Sequence, residues 1–87
     1  MNQEIKNKIV ETFKENDQNC AIDALGSMTL KDVMGESQSN LDNTSLSIVY
    51  LAKGSLGKLK ELVAVAKVDF RDVIYWATLE KEKEENK

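Results

Sequence analysis

The chain has no histidine, no proline and a single cysteine among its 87 residues. Without histidine it lacks both the commonest general base near neutral pH and the commonest metal ligand. Without proline nothing removes a backbone donor from a helix interior, which suits a chain of helices with brief connections. One thiol, Cys20, excludes an internal disulfide and cannot assemble a thiolate zinc site within one chain. The four glycines make no phosphate cradle: Gly54 and Gly57 enclose Ser55-Leu56 without the Lys and Ser/Thr of a nucleotide loop. No apolar run approaches the ~18 residues that would suggest a membrane span. The segment Met1-Asn2-Gln3-Glu4-Ile5-Lys6 is polar where a signal peptide would be apolar, so a cytoplasmic protein without membrane attachment is expected.

Apolar residues make up 41% of the chain and charged residues 31%, enough of each for one folded domain spanning 1–87 with one modest core. Twelve basic against fifteen acidic side chains leave a net charge of -3, which weighs against nucleic acid and anionic membranes as partners.

Ile5, Ile9 and Phe13 recur every fourth residue, with Val10 widening the stripe, and predict an amphipathic helix over about 3–16. Asn16-Asp17-Gln18-Asn19 is read as its stop. Cys20, Ala21, Ala24 and Leu25 predict a short helical turn closed by a left-handed Gly26. Thr29 and Asp32 read as a capping pair opening another short turn through Met34, which Gly35 closes. Residues 36–43 read as a loop. Ser45 to Tyr50 alternates as a strand would, yet no second run offers it a partner. Bracketed by Asn43 as cap and Gly54 as terminator, 44–53 is assigned as helix. Ser55 then caps a helix over 55–67, and Asp69 caps a last helix over 69–82. The charged residues 80–87 are expected to fray.

The expected fold is therefore all-α, a compact single-domain bundle of about four to five helices. Phe13, Leu46, Val49, Leu59, Leu62, Val63, Val73 and Ile74 are its predicted core.

Nothing in the chain spells an active site. Cys20 has no histidine to activate it and uncharged neighbours, so a buried, inert thiol is expected. Asp17-Gln18-Asn19 begins like a calcium loop but has Ala21 fifth, Ile22 sixth and Met28 twelfth, so no metal site results. Asp69 and Asp72 are explained by helix capping without a substrate. No catalytic residue, cofactor or metal is assigned, and the chain is read as a non-enzyme.

Two patterns bear on binding. Residues 59–76 have the outline of a helix-turn-helix, with Leu62, Ala66, Val68 and Val73 at positions such units keep apolar. Lys67 stands where the turn commonly has Gly, and Val63 where a small Ala is usual. Residues 55–87 carry seven basic and seven acidic side chains, so the segment has no net attraction to phosphate. The second pattern is the aromatic-rich back of the last helix. With Phe70, Val73, Ile74 and Ala77 turned inward, Tyr75, Trp76 and Leu79 lie largely behind them. A domain this small needs its aromatics for burial, so the N-terminal helix is expected to cover Trp76 and Leu79. Left uncovered, they form the kind of surface on which Trp and Tyr dominate binding.

Leu51-Ala52-Lys53-Gly54, followed by Asp69-Phe70-Arg71-Asp72-Val73-Ile74-Tyr75-Trp76-Ala77, resembles small uncharacterised bacterial proteins that carry a comparable Arg-Asp-Val near a terminal aromatic pair. The resemblance spans about the last third of the chain. It implies a helical fold and a bacterial source, and no activity, ligand or site.

The leading functional expectation is a small protein-interaction or regulatory module acting through Tyr75, Trp76 and Leu79, with another protein or a second copy as partner. The alternative is a degenerate helix-turn-helix over 59–76.

Overall fold

In the computed structural model, which describes residues 2–33 and 37–85, the four-residue repeat of Ile5 and Ile9 winds the first helix, α1 (Gln3–Thr12). Asn2 caps it, its side-chain oxygen accepting from the Ile5 amide at 2.9 Å. Ile5 and Ile9 are buried, whereas Val10, one helical step of about 100° away, faces solvent. The helix ends earlier than the sequence suggests. Phe13 turns into an extended conformation and drives its ring into the core.

The polar run after Phe13 starts a helix instead of stopping one. In α2 (Glu15–Gly26), Glu15 and Asp17 occupy the first turn, where carboxylates suit the positive end of the helix dipole. Gln18 donates its side-chain amide to the freed Phe13 carbonyl at 3.1 Å. The inner face of α2 is Ala21 and Leu25, and Cys20, one step off that face, is exposed rather than buried. Gly26 is the last helical residue and Ser27 the cap, at φ −72° and ψ −17°, so no left-handed glycine is needed there.

A 3-10 turn follows at Leu30–Val33. The expected capping pair is half realised: the Asp32 carboxylate accepts from the Thr29 amide at 2.7 Å, and the Thr29 hydroxyl points to Asp32 rather than to a free amide. The predicted helix end at Met34 and Gly35 lies outside the described residues, as does Glu36.

Residues 38–43, read as loop, form the first turns of α3 (Gln38–Ala52). Ser37 is the cap in place of Asn43, its hydroxyl accepting from the Asn40 amide at 3.1 Å. Thr44 is buried and donates to the Asn40 carbonyl at 2.7 Å, so its hydroxyl costs the core nothing. The 44–52 stretch is helical, one residue short of the assigned 44–53. Thr44, Ser45, Ile48, Val49 and Ala52 face inward at helical spacing, and among the described residues no strand exists.

The chain reverses through Lys53 and Gly54, both left-handed at φ 49° and 84°. Ser55 then caps α4 (Leu56–Glu85), its hydroxyl accepting from the Lys58 amide. One residue breaks this helix. Asp69 is extended at φ −153° and ψ 101°, which separates an arm 56–68 from an arm 70–85. Its carboxylate caps the second arm, accepting from the Arg71 amide at 3.1 Å. Helix continues to Glu85, past the point where fraying is expected. Lys53 pairs with Glu80 at 3.1 Å, and Tyr50 donates its hydroxyl to Glu84 at 2.6 Å.

The α3–α4 contact is the largest in the fold. α2 and the 3-10 turn pack on α4, and α1 packs on α3 and α2. One continuous core takes Ile5 and Ile9 from α1, Leu25 from α2, Val33 from the 3-10 turn, Ile48 and Val49 from α3, and Leu59, Val63 and Val73 from α4. Of the predicted core, Leu46 and Ile74 sit at its margin, only partly buried. Burying each large side chain contributes roughly 1.5–3 kcal/mol before entropy is subtracted. The radius of gyration is 12.2 Å, close to the ~12 Å expected of a packed chain of this length. Among the described residues no helix is long and apolar enough to cross a membrane.

Candidate functional site

The arm 70–85 buries Phe70, Val73 and Ala77 against the core and holds Ile74 at its margin. At about 100° per residue the opposite side of the same arm carries Tyr75, Trp76 and Leu79. The structure leaves them 61%, 41% and 36% exposed, respectively. The expected cover by the N-terminal helix does not form, because α1 packs on α3 and α2 and spends its buried face on Ile5 and Ile9.

Trp76 is nevertheless partly covered. It lines a shallow depression with Leu51 at the end of α3, Leu62 on the 56–68 arm, Lys58 and Glu80. The indole is thus partly covered and partly open to solvent. Tyr75, farther round the arm, is the more exposed ring.

A larger groove lies between α1, α3 and the end of α4. Leu46, Val49 and Tyr50 line it from α3, with Lys8 and Glu11 from α1 and Lys81 and Glu84 from α4. The Lys81 ammonium sits 5.2 Å from the centre of the Tyr50 ring, a cation–π contact. The hydrogen bond to the Glu84 carboxylate, reinforced by partial burial and the charges of Glu84, Glu80 and Glu85, pushes the Tyr50 phenol up from 10.0 to about 12. A phenol so placed stays protonated at neutral pH, so it supplies neither a base nor a nucleophile there. The Tyr50–Glu84 latch escapes sequence reading because its members are 34 residues apart. No local spacing signals a pair that only the antiparallel return of α4 along α3 brings together.

Asp69 holds Arg71 in a two-pronged ion pair, with Nε 3.0 Å from Oδ1 and a guanidinium NH2 nitrogen 3.1 Å from Oδ2. The Arg71 side chain and amide lower the Asp69 carboxyl from its ordinary 3.8, so it is a charged cap at neutral pH. Among the described residues no three His, Cys, Asp or Glu side chains converge as a metal set.

The helix-turn-helix outline over 59–76 is not what the fold builds. The two arms of α4 meet at one extended residue, Asp69, instead of a turn of several residues. Val68, read as an apolar position of such a unit, is 89% exposed, because at about 100° per residue it lies opposite the buried face of Leu59, Leu62, Val63 and Ala66 on its own arm. No protein-family model, curated protein or solved structure matches this chain.

Proposed function

We propose that the protein is a small non-enzymatic module that binds another protein chain through the outer face of 70–85, around Tyr75, Trp76 and Leu79. The observation that carries this reading is Trp76, 41% exposed on an arm whose other side is core. Large aromatics presented on a rigid element are the side chains that dominate binding energy at interfaces, since they bury much area for little lost freedom. A solitary, exposed thiol and no histidine fit an interaction module of a reducing compartment better than an enzyme. A duplex-reading unit has less in its favour, with no turn between the arms and no net positive charge over 55–87.

A paired pull-down tests the reading. The baits are the wild type and Trp76→Ala/Leu79→Ala, with helicity checked by circular dichroism, in lysate with and without nuclease. A protein held by the wild type, lost by the folded variant and indifferent to nuclease is the expected outcome. Nucleic acid recovered by both baits would overturn it and return the second reading.

A further inference from the structure

The outer face of 70–85 carries more than its apolar side chains. Asp72, Trp76, Leu79 and Lys83 follow one another at spacings of four, three and four, and all four are exposed. At 100° per residue they fall within an arc of about 60°, a narrow seam of the kind along which two helices pair. Its middle is apolar and its two ends carry opposite charge. Asp72 and Lys83 are about 16 Å apart along the arm, too far to satisfy each other within one chain.

We infer that the occupant of this face is a second copy of the chain, laid antiparallel along 70–85; this rests on the binding role just proposed and names its partner. A two-fold axis at the level of residues 77 and 78 carries Trp76 onto Leu79 of the second copy and Asp72 onto Lys83 of the second copy. Each contact then occurs twice, as an isologous interface requires. The same operation brings Tyr75 to the edge that holds Glu82 of the second copy, where a phenol hydroxyl can donate to a carboxylate. A parallel pairing sets every residue against itself, Asp72 on Asp72 and Lys83 on Lys83. Charge complementarity therefore selects both a second copy and its direction. The apolar contribution is three side chains per copy, small beside the interfaces of permanent dimers, so the association is reversible and depends on concentration.

Sedimentation velocity on the full chain, from about 10 μM to about 1 mM, covers the range expected of a small interface. The wild type should pass from monomer to dimer. Asp72→Lys and Lys83→Asp each turn two attractions between copies into two repulsions, and each should weaken association about tenfold or more. Combined in one chain they should restore it, which a parallel pairing cannot do. Both swaps oppose the helix dipole, so circular dichroism must show each variant folded before its mass is read. A monomeric wild type across the range, single swaps without effect, or a double swap that stays weak would each overturn the second copy. If the wild type is monomeric while the pull-down still loses a protein with Trp76→Ala/Leu79→Ala, the second copy is wrong and the binding face stands. Self-association that survives Trp76→Ala/Leu79→Ala overturns the inference too, and a pull-down that loses nothing then removes the binding role with it.

Discussion

Two glycines three residues apart show how much a single position depends on its surroundings. Gly54 holds φ 84°, and a Cβ there would drive into the backbone carbonyl of Thr12 at the end of α1. The left-handed conformation alone costs an L-residue about 1–2 kcal/mol. Gly54→Ala should therefore lower stability by more than that, because the clash is with backbone that cannot swing away. Gly57 lies within α4 with open space where a Cβ would sit. Gly57→Ala should raise stability by up to about 1 kcal/mol, from better helix propensity and a stiffer unfolded chain. A urea melt showing Gly54→Ala unchanged or stabilised, or Gly57→Ala destabilised, would refute the account of that position. Tyr50 offers a second test at this scale. Its phenol is raised to about 12, so the stability it contributes is fully present below pH 10 and is lost as pH climbs from 10 to about 12. Phenolate absorbance should show one late-ionising tyrosine, and Tyr50→Phe should abolish that late phase.

Elements here begin and end for reasons that lie partly outside them. Asp69 is the clearest local case, one extended residue whose carboxylate caps the arm that follows it. Its folded pKa is depressed, so its contribution is present above the unfolded value of 3.8 and disappears as pH falls through the lower folded value. Asp69→Asn, which keeps a capping oxygen, should flatten the loss of stability in acid while changing neutral stability little. Asp69→Ala should lower stability at neutral pH as well. Chemical melts at pH 7 and pH 3 distinguish the two, and an unchanged acid response in Asp69→Asn would sink the assignment. The end of α4 is a case of the opposite kind. Nothing apolar lies in 80–85, and its carboxylates are met by Tyr50 of α3 and by Lys53 in the turn that follows α3.

At the scale of the whole molecule, five elements share one core, and helices of 10, 12 and 15 residues such as α1, α2 and α3 are at best marginal alone. A chain of 87 residues has roughly 4–13 kcal/mol of stability in total. Leu59 is wholly buried in the middle of that core. Leu59→Ala should cost about 2–5 kcal/mol, a large part of the total. The same melt should remain a single cooperative transition, since no part of the core belongs to one element only. A loss below ~1 kcal/mol, or a second transition, would contradict a shared core of this kind. The outer face of 70–85 contributes little to this sum. Trp76 lines a shallow depression with Leu51 and Leu62 and stays 41% exposed, on the surface most free to serve something else.

Helical spacing and capping chemistry are properties of a few consecutive residues, and they were legible without the fold. Ile5 and Ile9, Ser55 before α4, Asp69 before the last arm, and the turn at Gly54 all follow from side chains within one or two turns of each other. Where polar residues had two local roles, the sequence could not choose between them. Asn16 to Asn19 and Gln38 to Asn43 can end a helix or begin one. The choice came from tertiary demands, Phe13 entering the core before α2 and Thr44 and Leu41 meeting it from α3. The helical end of the chain and the exposure of Trp76 were decided the same way. Each depends on which helix lies beside α4, and in the structure α3 holds its end by Tyr50 while α1 stays away from its outer face. Periodicity tells which face of a helix is apolar; only the packing of the other helices determines which apolar face is left over.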